Sequence, residues 1–206
     1  MSNIQLTFVN DSNDKNNSQI VIFQQNQSAN TDAPSVAWKV IKNCGQGFSH
    51  PFVYPAASQI AATDSYGNIS PRLAAASGSE FQFVLDDSGH AISSSNNASY
   101  TQDITLSNKL EEGAINASIY KDGRLLATTT NIEPGVKASF NFKPTIWVGV
   151  GSQIEEGSLI NTSLASKVST EISLEGIKSA SIVMTGGGAS SDAAPLKFEL
   201  ENIVYS

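Results

Sequence analysis

The sequence predicts an all-β protein: an antiparallel β-sandwich of two packed sheets, with roughly a dozen short strands and little helix. Three observations predict it. Short runs alternate apolar and polar residues along almost the whole chain, the period of a half-buried strand. Clusters of Gly, Pro, Asn, Asp and Ser break those runs about every 8–12 residues, the turn spacing of sandwiches and barrels. No self-similarity at a fixed period is visible, which argues against a solenoid or propeller.

Ile4, Leu6 and Phe8 alternate with Gln5, Thr7 and Val9 and form the first strand. The polar run from Asn10 to Ser18 is a loop. QIVIFQ (19–24) reads as a buried strand, and SVAWKVIK (35–42) as another with Val36, Trp38 and Val40 on one face. Turn-formers fill the link between them. In 60–75, Asp64 to Asn68 separates two short strands. EFQFVL (80–85) runs into a hairpin-type turn at Asp86-Asp87-Ser88-Gly89, and YTQDITL (100–106) follows a Ser/Asn-rich loop.

AINASIY and LLATTTN flank Lys121-Asp122-Gly123-Arg124, and Asp-Gly between alternating runs is a hairpin signal. Glu133-Pro134-Gly135 has the order a type II turn prefers. With VKASFNF and TIWVGV after it, 113–151 reads as a meander. KVSTEISL (167–174), ASIVM (180–184) and LKFELENIV (196–204) complete the strands, and Thr185 to Gly188 reads as a flexible loop between the last two. Only 154–166 is ambiguous, with room for a turn of helix. The expected organisation is a single domain, 1–206; a split near 108–112 is the alternative, although no Pro- or Gly-rich linker marks it.

Composition excludes several functions. Lys and Arg are scattered singly and the net charge is −7, so the basic stripe of a nucleic-acid-binding surface is missing. No apolar run is long enough for a transmembrane helix. The N-terminus lacks the features of a signal peptide, so the expected location is the cytoplasm, with export without a cleaved signal as the alternative. One cysteine excludes an internal disulfide. Charged residues are only 15 %, against about 25 % in average domains, and Ser, Thr and Asn are read as the polar surface.

Candidate chemistry is sparse. NCGQGFSHPFVYP (43–55) holds Cys44 and His50, yet a Cys/His pair within one loop is weak evidence for a nucleophile and its base. Pro51 and Pro55 mark the segment as a rigid loop. Its plainer reading is an aromatic plug at one end of the sandwich, and its functional reading is a binding loop. Phe48, His50, Phe52, Tyr54 and Tyr66 are then the candidate ligand-binding residues, since rings and amides suit sugars. The acidic turns at Asp64 and Asp86 lack calcium-loop spacing, and no metal signature appears. The TGGG run lacks the lysine of a phosphate loop. Glu111-Glu112 and Glu155-Glu156 read as surface turns rather than catalytic pairs, since adjacent residues on a strand would face opposite ways.

No catalytic residue and no cofactor is expected. The first functional reading is a non-catalytic structural or assembly protein, a homo-oligomer joined through strand edges such as those of QIVIFQ and SFNF. The alternatives are a lectin-like module binding carbohydrate through its loops, and then a membrane-active, pore-forming β-protein using 92–106 and 163–174.

Overall fold

A computed structural model of the protein describes residues 2–28, 34–95, 102–160, 169–189 and 193–206. The strands are β1 (Ile4–Asn10), β2 (Gln19–Phe23), β3 (Lys39–Ile41), β4 (Ser49–Tyr54), β5 (Ser58–Thr63), β6 (Leu73–Ala75), β7 (Glu80–Asp86) and β8 (Gly89–Ser94), followed by β9 (Ile104–Asn108), β10 (Ile115–Lys121), β11 (Arg124–Ile132), β12 (Lys137–Phe140), β13 (Thr145–Gly151), β14 (Ser169–Ser173), β15 (Ile177–Thr185) and β16 (Lys197–Tyr205). The protein is all-β, with no helix among the described residues. Tyr100, Thr101, Lys167, Val168 and the 161–166 part of the ambiguous segment lie outside those residues; 154–160 is irregular.

The chain divides into two compact units. The first joins Met1–Gln25, Pro34–Ala56 and Pro144–Ser206, and the second Asn26–Ala33 and Ala57–Lys143. The 108–112 boundary considered above falls inside the second unit. Each unit holds two four-stranded sheets: β16-β15-β1-β4 and β14-β13-β2-β3 in the first, β11-β10-β5-β6 and β12-β9-β7-β8 in the second.

The two units share one topology in permuted order. Read from β9, the second unit runs β9 to β12 and then β5 to β8, and these correspond to β1 to β4 and then β13 to β16. The parallel ladders, β1 with β15 and β7 with β9, fall at matching places. Local chemistry matches as well. Asn10 ends β1 and Asn108 ends β9, and the Oδ1 of each accepts the amide two residues on, that of Ser12 or Leu110, at 3.0 Å. Gly47 N–H donates to the Asn10 carbonyl (2.7 Å) as Gly135 N–H donates to that of Asn108 (2.9 Å). Both glycines have φ of 79°, where an L side chain is strained. This repeat has no visible counterpart in the residue order.

Burial follows the period of two. β1 and β10 bury every second residue (Ile4, Leu6, Phe8; Ile115, Ala117, Ile119). In the first unit Trp38 meets Phe52 and Tyr54 edge-on, with centroids 6.4 and 6.0 Å apart, each contact contributing about 0.5–1.5 kcal/mol beyond burial. β2 is buried on both faces, because Ala37 and Ile160 cover Val21 and Phe23 on the far side.

Several expectations are corrected. The 113–151 meander does not form: β10 and β11 make the hairpin, but β12 pairs with β9 and β13 with β2. The type II turn is present, with Val136 N–H donating to the Glu133 carbonyl (3.0 Å), yet it carries the chain from one sheet to the other. QIVIF is an interior strand between β13 and β3, with no free edge. The glycine run after β15 is packed tightly rather than loose. A Cβ on Gly186 would lie 2.2 Å from the Pro195 carbonyl oxygen, and Asn13 N–H donates to the Gly186 carbonyl at 2.8 Å.

Candidate functional site

The 43–55 segment is a loop only as far as Phe48. Ser49–Tyr54 forms β4, an edge strand paired with β1. Pro51 signalled a loop because it lacks an N–H, but an edge strand leaves one side of its backbone unpaired and tolerates the loss. Phe52 and Tyr54 point into the core against Trp38, and Phe48 is exposed before the strand begins. Burial pushes the Tyr54 hydroxyl up to about 12, with the hydrogen bond to Gln24 Oε1 (3.2 Å) opposing it. His50 is opposite Phe8 in the ladder. Burial also pushes the Cys44 thiol up, the reverse of what an activated nucleophile needs. Tyr66 belongs to the second unit, so the five predicted residues do not form one cluster within a unit.

A different constellation surrounds Tyr66. An open cleft of about 1310 Å³ lies where β5, β7 and β9 end. Three elements line it: the β5–β6 loop with Ser65 and Tyr66, the β7–β8 hairpin with Leu85 and His90, and the β9–β10 loop with Lys109, Glu111 and Glu112. Glu111 and Glu112 are on a bend rather than a strand, so both border the same space. The surface-turn reading of this pair holds, and the argument from opposite strand faces does not apply to it.

Asp64 orders this end of the unit. Its side chain is 1 % exposed. Oδ1 accepts the amides of Tyr66 (2.9 Å) and Asn68 (2.8 Å), while Oδ2 accepts Asn68 Nδ2 (2.9 Å) and lies 2.7 Å from His90 Nδ1. Burial raises the carboxyl, but the hydrogen bonds from the Asn68 side chain, from His90 and from the Asn68 and Tyr66 amides outweigh it and hold the group at about 2. Asp64 is therefore an ionised acceptor at neutral pH, and in neutral His90 it fixes the proton on Nδ1. The imidazole is 5.4 Å from buried Phe83 and 6.1 Å from the Tyr66 ring. Tyr66 itself is 81 % exposed, displayed by its backbone rather than by packing of its ring.

The two acidic turns considered for calcium meet here through Asp64 and His90. Among the described residues no three of His, Cys, Asp and Glu are grouped to hold a metal. No helix there is long and apolar enough to cross a membrane. Comparison with family models, curated proteins and solved structures finds no match.

Proposed function

We propose that the protein is a non-catalytic β-protein that self-associates through a strand edge, and that the edge is β16. Natural sheets blunt their edges with short strands, proline, polar residues and bulges. Five of the other edges follow that pattern: β3 and β6 have three residues and β12 has four. β4 carries Pro51, and β11 is long but presents Thr130 and Asn131 to solvent.

The C-terminal half of β16 is irregular, with register shifts where Tyr205, Val204 and Glu201 face β15, yet it exposes neighbouring apolar side chains, and these carry the reading. Val204 is 50 % and Tyr205 68 % exposed, with Ile203 beside them, on a nine-residue strand at the sheet boundary. Ser206 N–H donates to the Gly176 carbonyl (2.9 Å), which keeps this end against its sheet. The partner is a second copy of the chain. Native mass spectrometry over a range of concentrations tests it: a defined oligomer is expected, and Val204→Lys should raise its dissociation constant at least about tenfold, or 1.4 kcal/mol. A wild-type monomer at every concentration, or an oligomer indifferent to Val204→Lys, overturns the proposal.

A further inference from the structure

The shared topology supplies an internal control for the cleft. In the first unit the described parts of the two corresponding loops stay joined. The parallel ladder continues past β1 and β15 through Asp11 N–H to the Met184 carbonyl (2.9 Å) and Asn13 N–H to that of Gly186 (2.8 Å). A Cβ on Gly187 would lie 3.1 Å from the Asp14 nitrogen, so the two loops are in close contact. In the second unit Lys109 N–H donates to the Phe83 carbonyl (2.8 Å), matching the first of these bonds. The next, between Glu111 and Leu85, is not made among the described residues. The strands part there and the cleft opens. The described residues that follow β1 and those that follow β9 thus differ at this point.

The lining of the cleft selects a ligand class. Lys109 disfavours a simple cation, and Glu111 with Glu112 disfavours an anion. Carboxylates, an ammonium and an imidazole accept and donate in one place, as a set of hydroxyls requires. The exposed Tyr66 ring and Leu85 offer apolar surface to C–H groups. We propose that this cleft binds a neutral pyranose carbohydrate, with the sugar ring on Tyr66 and its hydroxyls held by Lys109, Glu111, Glu112 and His90 Nε2. Asp64 is a positioning residue, fixing the backbone of Tyr66 and the tautomer of His90.

The test is a two-dimensional amide NMR titration of the full chain with the methyl glycosides of glucose, galactose and mannose and with N-acetylglucosamine, each to about 50 mM, which reaches dissociation constants in the millimolar range, about −4 kcal/mol. At least one sugar should shift the amides of 65–68, 85, 90 and 109–113. Tyr66→Ala should weaken that response about tenfold or more with the rest of the spectrum unchanged, because the ring has no part in the core. Asp64→Asn should weaken it too. Silence from every sugar overturns the proposal, as do shifts confined to other residues or a Tyr66→Ala protein that binds like the parent. A response to tetramethylammonium with the sugars silent overturns it in favour of a cation. Monomeric wild-type protein leaves this test intact, since the cleft lies within one chain.

Discussion

Replacing Asn108 with Ala should destabilise the second unit severely. The side chain is fully buried at the end of β9. Nδ2 donates to the carbonyls of Ile132 and Gly113, each at 2.9 Å, and Oδ1 accepts the Leu110 amide at 3.0 Å. Alanine leaves the buried Ile132 carbonyl and Leu110 amide without partners, while the Gly113 carbonyl is partly accessible to water. An orphaned buried group costs about 1–3 kcal/mol, so two cost on the order of 3–4 kcal/mol. For a unit of this size that lowers its melting temperature by roughly 12 °C or more. Trp38 and Trp147 both lie in the first unit, so indole fluorescence reads that unit while far-UV circular dichroism reads both. The loss should appear in dichroism. Asn108→Asp is the sharper companion: at pH 7 its carboxylate faces two carbonyl oxygens and should destabilise at least as much. Acidification should restore part of that loss by returning a donor, whereas the Ala variant gains nothing equivalent. A midpoint for Asn108→Ala within about 0.5 kcal/mol of wild type, the range of inert surface changes, would refute the hydrogen-bond accounting.

Two further outcomes follow from geometry and charge. Gly186→Ala forces a side chain onto a φ of 82° and against the Pro195 carbonyl, and should cost about 3 kcal/mol or more by chemical denaturation. Gly123→Ala has φ of 73° but open space around the new Cβ and should cost only about 1 kcal/mol; equal losses would show that the close approach does not matter. The Asp64 carboxyl, held at about 2 against an ordinary 3.8, contributes stability that is complete above about pH 4 and lost as pH falls through about 2. Its carboxyl carbon should titrate near 2 by NMR, and Asp64→Asn should remove that part of the acid unfolding limb. A midpoint near 4 would sink the account.

What the sequence made legible was local. Asp122-Gly123 was readable as a hairpin because a type I′ turn needs two residues at positive φ, and the structure gives 51° and 73°. The same reasoning found the type II turn at Gly135. It failed on what β12 pairs with, since alternation tells which face is buried and not which strand lies alongside. The parallel ladders of β1 with β15 and β7 with β9 were unreadable for that reason. Pro51 misled because proline marks a loop and an edge strand equally well. At the site, Tyr66 was singled out, but its partner His90 lies 24 positions on and on another sheet's hairpin. Glu111 and Glu112 were read as a surface turn, as the bend after Asn108 bears out, but nothing in their order placed them beside Tyr66. The common topology stayed hidden because it depends on a few positions, such as Asn10 with Asn108 and Gly47 with Gly135, embedded in otherwise different residues.

Those positions also change the meaning of the low charge content. Ser, Thr and Asn were expected to form the polar surface, yet Asn10, Ser12, Gln24 and Asn108 are buried. Asn10 and Asn108 tie strand ends to neighbouring loops, while Gln24 accepts from Tyr54 and donates to the Thr145 carbonyl (2.7 Å). An amide donates and accepts together, so one side chain satisfies groups on two elements without the desolvation that a buried ion pair would bring. It does not titrate, so these junctions hold across pH. Against that background, the one buried carboxylate among the described residues, Asp64, stands out. A fold that uses neutral amides at its junctions has placed the one buried carboxylate among its described residues beside the open cleft, where it holds a histidine and the backbone that displays an aromatic ring. Strongly shifted carboxylates cluster at functional sites, which supports the carbohydrate reading of the cleft; the other buried charges among the described residues, Lys39 and Lys121, are cations and do not line it.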